Sequence, residues 1–380
     1  MKEHALKTLI IESLTKQGFQ VKEDRIFSPS NLDKEAIRKL HAQAVIHQIE
    51  SAEPALAKYE SKLLSRVAHG VEIIPDRISP RLIEVKSDTE DALLFRYAAL
   101  HWSIPISTGY GRRLRFLVID DQNDKLMGVI GLGDPVFNLG ARDRWIGWSK
   151  QAQRENLNHV MDAFVLGAVP PYSQFLCGKL VAMLATSNEV RLAFKRKYGG
   201  QQSLISQKKL DARLALITTA SALGRSSIYN RLKYRDRLLY HSVGFTQGFG
   251  EFHFSNGVYQ AIAEHAAAHA EPTAKNELWG KGFRNRREVV RKSLISLGIK
   301  GDWTYHGVQR EVFVVPLAKN TKEFLRGEHS RLFWLDQPVE DLADFFKERW
   351  LFPRTQNDQG YKSWNREMWR LWPEKGENDL

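Results

Sequence analysis

Apolar residues recur at helical spacing from the start of the chain. Leu6, Leu9, Ile10 and Leu14 share one face, and Gly18 ends the predicted helix. A longer helix is predicted over about 33–67, with Ile37, Leu40, Ala44 and Val45 on one face and Ser30 or Asn31 as its cap. The Pro-punctuated stretch 75–80 reads as a linker. The period then changes. Residues 114–120 and 126–132 are strands around the turn Asp121-Gln-Asn-Asp124, giving a hairpin. Residues 163–169 are almost entirely apolar, as in a central strand covered on both faces. Pro170, Pro171 and Tyr172 end that strand, and Ser173 caps a helix carrying Leu176, Leu180 and Leu184. A second helix runs from Ser187 to Gly199-Gly200, and 214–219 is another buried strand. The glycine-rich stretch 245–254 predicts a tight hairpin.

The last third predicts helices over 258–270 and from about residue 284, a strand over 311–315, and a helix opened by Pro338. Trp364, Met368 and Trp372 form a final helical stripe, read as core or domain-docking surface. The fold class is therefore α/β (α+β), in three parts: a helical domain over 1–80, a central mixed-sheet domain over 81–256, and an α+β region over 257–380. A hairpin, a covered strand, a helix and another covered strand also resemble the acetyltransferase-like fold. A glycine-rich acyl-coenzyme A loop is missing, since Cys177-Gly-Lys179 is a poor substitute.

Composition narrows the setting. No apolar run approaches the roughly 20 residues that span a bilayer, so no membrane role is expected. The N-terminus lacks a signal-peptide pattern. The single cysteine, Cys177, excludes a disulfide framework and points to a reducing cytoplasm. The net charge is +12, and it is concentrated. Residues 191–237 hold twelve Lys and Arg against two Asp, and Lys281, Arg284, Arg286, Arg287, Arg291 and Lys292 form a second run. Such clustering favours a polyanion partner, nucleic acid and DNA first.

Four segments carry candidate chemistry. In Arg142-Asp-Arg-Trp-Ile-Gly-Trp148 and the following Arg154 and Asn156, guanidiniums stand beside aromatic faces. That mixture suits stacked bases and phosphates, or equally a structural cluster of Trp and ion pairs. Arg142, Arg144, Trp145, Trp148, Arg154 and Asn156 are its candidate nucleic-acid contacts, and Asp143 is a candidate acid/base. Arg225, Asn230 and Arg231 follow a buried strand and could bind phosphate, while Tyr229 could stack or attack phosphorus; a capped helix start explains them as well. Gly248 and Gly250 could cradle an anion, with Glu251 and His253 on one strand face as general bases; a hairpin needing positive φ is the alternative. Arg284, Arg286 and Arg287 lie on the basic helix. His265 and His269 have metal-ligand spacing, but no third ligand is evident, so a solvated helix face is expected and no metal site is assigned. P-loop, Gly-x-Ser-x-Gly and His-Glu-x-x-His patterns are all missing, and no cofactor can be named.

The motifs Arg142-Asp-Arg-Trp-Ile-Gly-Trp148, Leu223-Gly-Arg-Ser-Ser-Ile-Tyr-Asn-Arg231, Val243-Gly-Phe-Thr-Gln-Gly-Phe-Gly250, Gly282-Phe-Arg-Asn-Arg-Arg-Glu-Val-Val290, Tyr305-His-Gly307 and Pro316-Leu-Ala-Lys-Asn320 together resemble the DruA family. The likeness runs from about residue 30 to the C-terminus. It implies a component of Druantia, a bacterial anti-phage system, alongside a large helicase-like protein and other Druantia partners. It carries over no catalytic residues. Three readings stand: a nucleic-acid-binding component, an enzyme that modifies or cuts nucleic acid, and a non-catalytic scaffold.

Overall fold

The computed structural model describes residues 2–30, 32–106, 111–201, 211–272 and 283–373, with side chains in the last segment from Asn285 onward. Helix α1 (Glu3–Lys16) buries Leu6, Ile10 and Leu14 and is followed by a short ribbon, β1 (Gln20–Lys22) and β2 (Arg25–Phe27). Helix α2 (Lys34–Leu56) is capped by Asp33, whose carboxylate accepts the Ala36 N–H at 2.8 Å. The expected cap, Ser30 or Asn31, is thus replaced by the residue nearer the first turn; Asn31 lies outside the described residues. The predicted single helix over 33–67 is broken by a tight turn at Ala57–Tyr59, after which α3 (Glu60–Leu64) follows.

The stretch read as a linker feeds a strand the periodicity missed, β3 (Pro80–Glu84), at the sheet edge where proline is tolerated. Helix α4 (Glu90–Ala99), capped by Thr89, was also missed. The hairpin β4 (Arg113–Asp120) and β5 (Lys125–Gly133) is as read. Two short helices, α5 (Gly140–Ile146) and α6 (Lys150–Asn156), lead to β6 (Val160–Ala168). A single turn at Tyr172–Phe175 precedes α7 (Cys177–Leu184), so the helix begins at Cys177 rather than Ser173. Helix α8 (Asn188–Tyr198), capped by Ser187, leads to β7 (Leu216–Ala220). The ribbon β8 (Lys233–Tyr234) and β9 (Arg237–Leu238) precedes β10 (His241–Phe245). Helices α9 (Val258–His269) and α10 (Phe283–Ser296) pair with each other before β11 (Glu311–Pro316), α11 (Thr321–Leu325), α12 (Val339–Phe346) and α13 (Phe352–Asn357).

Seven strands form one mixed sheet in the order β10-β11-β7-β6-β5-β4-β3. Every neighbouring pair is antiparallel except β6 and β7, which run parallel through Val160–Asp162 and Leu216–Thr218. Hairpin, covered strand, helix and parallel covered strand therefore follow in the order read from the sequence. Alternation sorts the side chains onto two faces. On β11, Phe313 and Val315 enter the core beneath α7, α8 and α12, while Val314 enters the opposite core with Ile146 of α5 and Phe324 and Leu325 of α11. A further core on that second side joins α3 and α4 to β4 and β5 and holds Trp369 and Trp372.

The Trp stripe is therefore core, but it is built from 3-10 turns rather than a helix, and Met368 stays exposed. Buried Glu60 holds it by accepting the N–H groups of Leu371 and Trp372. A separate helical core joins α1 and the start of α2 to α9, α10, Ile299 and Val308. Helices α9 and α10 thus share a core with the first helices, and β11 belongs to the central sheet. Among the described residues no helix is long and apolar enough to cross a membrane.

Candidate nucleic-acid interface

Helix α5 is short because Gly147, at φ 76°, closes it in the left-handed conformation. Its first turn is locked by side chains. Arg142 is fully buried. Its guanidinium donates to the carbonyls of Val136 and Phe137 at 2.9 and 2.8 Å, and to Asp143 at 2.8 Å. Asp143 also accepts from Leu139 N–H at 2.9 Å and Trp148 Nε1 at 3.2 Å. Arg142 and Asp143 therefore brace their own loop; no donor is left for phosphate, and Asp143 is saturated. The loop they brace presents Val136 and Phe137 to solvent. Trp148 lies 5.4 Å from the Arg142 guanidinium, and Lys322 stands 4.4 Å over Trp145. Both rings thus have a protein cation as neighbour. Asn156 spends its amide on the Leu325 carbonyl, tying α6 to α11. Arg144 and Arg154 are exposed and form no salt bridge among the described residues.

Beyond β7 the chain turns at Gly224 and is pinned by Glu311. One Glu311 oxygen accepts Ser226 N–H at 3.3 Å and the other accepts the Ser242 hydroxyl at 2.7 Å. This clamp sets Arg225 on the surface beside edge strand β10, with its guanidinium 6.0 Å from the ring of exposed Phe245. Asn230 and Arg231 are exposed as well. Tyr229 points the other way. It is buried, stacked on Tyr240 at 4.8 Å and edge-on to Phe313, and burial pushes its phenol up to about 12. That environment makes a core tyrosine, not a nucleophile.

The glycine-rich stretch is not a hairpin. It leaves β10 and crosses residues 304–307 backbone on backbone. Gly248 (φ 79°) accepts the N–H groups of His306 and Gly307, and a Cβ there would lie 2.9 Å from Gly307. The glycines thus serve a close chain crossing rather than an anion. Glu251 and His253 do not share a strand face, because Phe252–Phe254 is a 3-10 turn. His253 is buried, its Nε2–H donating to the Trp303 carbonyl at 2.8 Å; burial drives its pKa down to about 3, so it stays neutral. Glu251 is buried too, with its carboxyl raised by desolvation and opposed by Arg286, 3.5 Å away, and by Arg287. Arg286 is already engaged with the Phe254 carbonyl and the face of Tyr259. Arg287 is exposed; the side chain of Arg284 lies outside the described residues.

The structure therefore brings Glu251, His253 and Arg286 together and separates them from Asp143 and Tyr229. Those two sit on opposite faces of the sheet, and His253 sits in the helical core. The residues do not line one cleft. A hollow of about 1070 Å³ lies elsewhere, between α2, α3, α4 and β4, lined by Arg113, Arg115 and Phe164 among others; none of the sequence-predicted site residues lines it. Sequence reasoning missed a buried cluster around His253: His41 accepts from Arg310 at 3.0 Å, and Phe252 lies between the rings of His41 and His306. Its members come from three distant segments, and no local signal links them.

What remains on the surface is cationic and aromatic. Arg225 and Phe245 lie at one end of the outer edge. Phe249 and Tyr305, both exposed and 5.1 Å apart, lie beyond them. Phe249 follows Phe245 by four residues, with the chain bending at Gly248 between them. Elsewhere the basic run is partly neutralised within the chain: Arg196 and Lys197 reach Glu84, Arg213 reaches Asp211, and Arg191 stacks on Trp334. Lys208, Lys209 and Lys281 lie outside the described residues.

Comparison with known proteins adds a family. Residues 31–327 match the family model described as Druantia protein DruA. A relative named Druantia protein DruA, from Escherichia coli (strain UMEA 4076-1), is 39% identical over 367 residues, covering 96% of this chain and 90% of its own length. No solved structure matches.

Proposed function

The chain belongs to the DruA family, and on that premise we propose that it serves the Druantia defence system by binding nucleic acid along the outer edge of its central sheet. The observation that carries this reading is the exposed set Arg225, Phe245, Phe249 and Tyr305 at and beyond β10, where Arg225 forms no salt bridge among the described residues. Guanidiniums attract phosphates, and open aromatic faces stack unpaired bases. Single strands are therefore preferred to duplex, whose bases are already stacked. A helicase-like protein and other Druantia components are the partners this role implies.

Fluorescence anisotropy with labelled single- and double-stranded DNA and RNA at two salt concentrations tests the proposal. Binding is expected to weaken by about 0.7 log units per tenfold rise in salt for each single-strand phosphate contact. The double variant R225A/F245A should bind at least tenfold more weakly with an unchanged melting temperature. Failure of the native protein to bind any of the four nucleic acids at low salt would overturn the proposal.

A further inference from the structure

Glu3, His265 and His269 meet where α1 packs on α9. One ligating atom of each lies within 4.8 Å of those of the other two, and the two imidazoles stack with centroids 4.4 Å apart. The sequence offers no third ligand near the histidines; the fold supplies one from the first turn of α1.

Hydrogen bonds orient both rings. The Ser296 hydroxyl donates its one hydrogen to the Ser293 carbonyl at 2.9 Å. The same hydroxyl lies 2.8 Å from His265 Nε2, which engages that nitrogen and leaves Nδ1 outside the contact. His269 Nδ1 lies 3.1 Å from the His265 carbonyl, which can only accept, so Nδ1 donates there and Nε2 stands outside that bond. Each ring is thus oriented through one nitrogen, with the other outside that contact. This is the pattern that outer-sphere partners impose on metal-ligating histidines.

We propose that Glu3, His265 and His269 bind one divalent transition-metal ion, zinc by preference, that clasps α1 to α9. His265 Nδ1, His269 Nε2 and a Glu3 carboxylate oxygen are the ligands, and the fourth tetrahedral position is left to water. Two imidazoles and one carboxylate select zinc and its neighbours over calcium or magnesium, which take oxygen donors. Bonds of about 2.0–2.1 Å hold tetrahedral ligands roughly 3.4 Å apart, so the trio must contract. Glu3 is exposed and can swing inward, while buried His265, with His269 stacked on it, is the fixed anchor. The ion would reinforce a junction that Leu6, Ile10 and Ile262 already pack.

The test uses tag-free, full-length protein stripped with a chelator. Zinc is titrated by calorimetry, and cobalt is titrated with its visible spectrum as the reading of coordination geometry. One ion per chain, a tetrahedral cobalt spectrum and a higher melting temperature with zinc are expected. E3Q and H269Q change exposed positions and should leave the metal-free protein folded, while each weakens zinc affinity at least tenfold. Native protein that binds less than one ion, or variants that bind as tightly as the native chain, would overturn the assignment; the second outcome marks binding elsewhere on the surface.

Discussion

Two buried carboxyl groups separate the sheet from the helical lobe. Asp120, at the end of β4, is fully buried and accepts Ser79 N–H at 2.9 Å, the Tyr172 hydroxyl at 2.8 Å and the Gln122 amide at 2.6 Å. Glu251, against the helical core, accepts no hydrogen bond from a described residue and has only the charges of Arg286 and Arg287 nearby. Burial raises the pKa of both. In Asp120 three kinds of donor oppose that shift; in Glu251 only cations do. At the β3–β4 end the sheet meets its buried carboxylate with donors from three segments, Ser79, Gln122 and Tyr172. The lobe is assembled from α1, α2, α9 and α10, and its junction also leaves His253 Nδ1 and His41 Nδ1 without a hydrogen-bond partner among the described residues. A satisfied polar network rigidifies; an unsatisfied one marks the weaker part of a fold.

The largest expected effect is in the sheet. D120A leaves three donors facing an apolar interior and should cost about 3 kcal/mol or more in urea denaturation. A loss below about 1 kcal/mol would erase the contrast between the two regions. Acid should act first on the lobe. His41 and His253 each fall from 6.5 to about 3 on folding. The unfolded chain therefore binds more protons between pH 6.5 and about 3, and stability is lost as pH falls through that window. Hydrogen exchange compared at pH 7 and pH 5, corrected for the intrinsic rate, should show α9 losing protection before β4–β6.

Glu251 works in the opposite sense. Its folded pKa is raised, so the native state holds the proton more tightly, and stability falls as pH rises from the ordinary carboxyl value through the folded one. E251Q should flatten that fall and melt no lower than the native protein at pH 7; a clearly lower melting point would make the Arg286 pair a net stabiliser. The smallest effect belongs to Tyr229. Y229F keeps the stack on Tyr240 and should change stability by less than about 1 kcal/mol, with nucleic-acid binding intact. A large loss of activity in that variant would reopen a chemical role for the phenol.

Period and punctuation in the sequence determined most elements of this protein. The turn 121–124, the apolar run 163–169, the cap at Ser187 and the concentrated charge each depend on neighbours a few residues away. Even there, β3 and α4 escaped notice, because a five-residue edge strand beginning at a proline and a ten-residue helix carry little periodicity. Only the tertiary structure decided what the polar residues do. Asp143 and Tyr229 look like partners along the chain, yet α5 packs on one face of the sheet and the turn holding Tyr229 packs on the other. Gly248 looks like an anion cradle, yet the chain crossing at Gly307 takes its open space. Glu3 and His269 stand far apart along the chain, and packing of α1 on α9 makes them neighbours. Local propensity is written in consecutive residues, whereas a side chain's partners come from segments that the chain order does not place together.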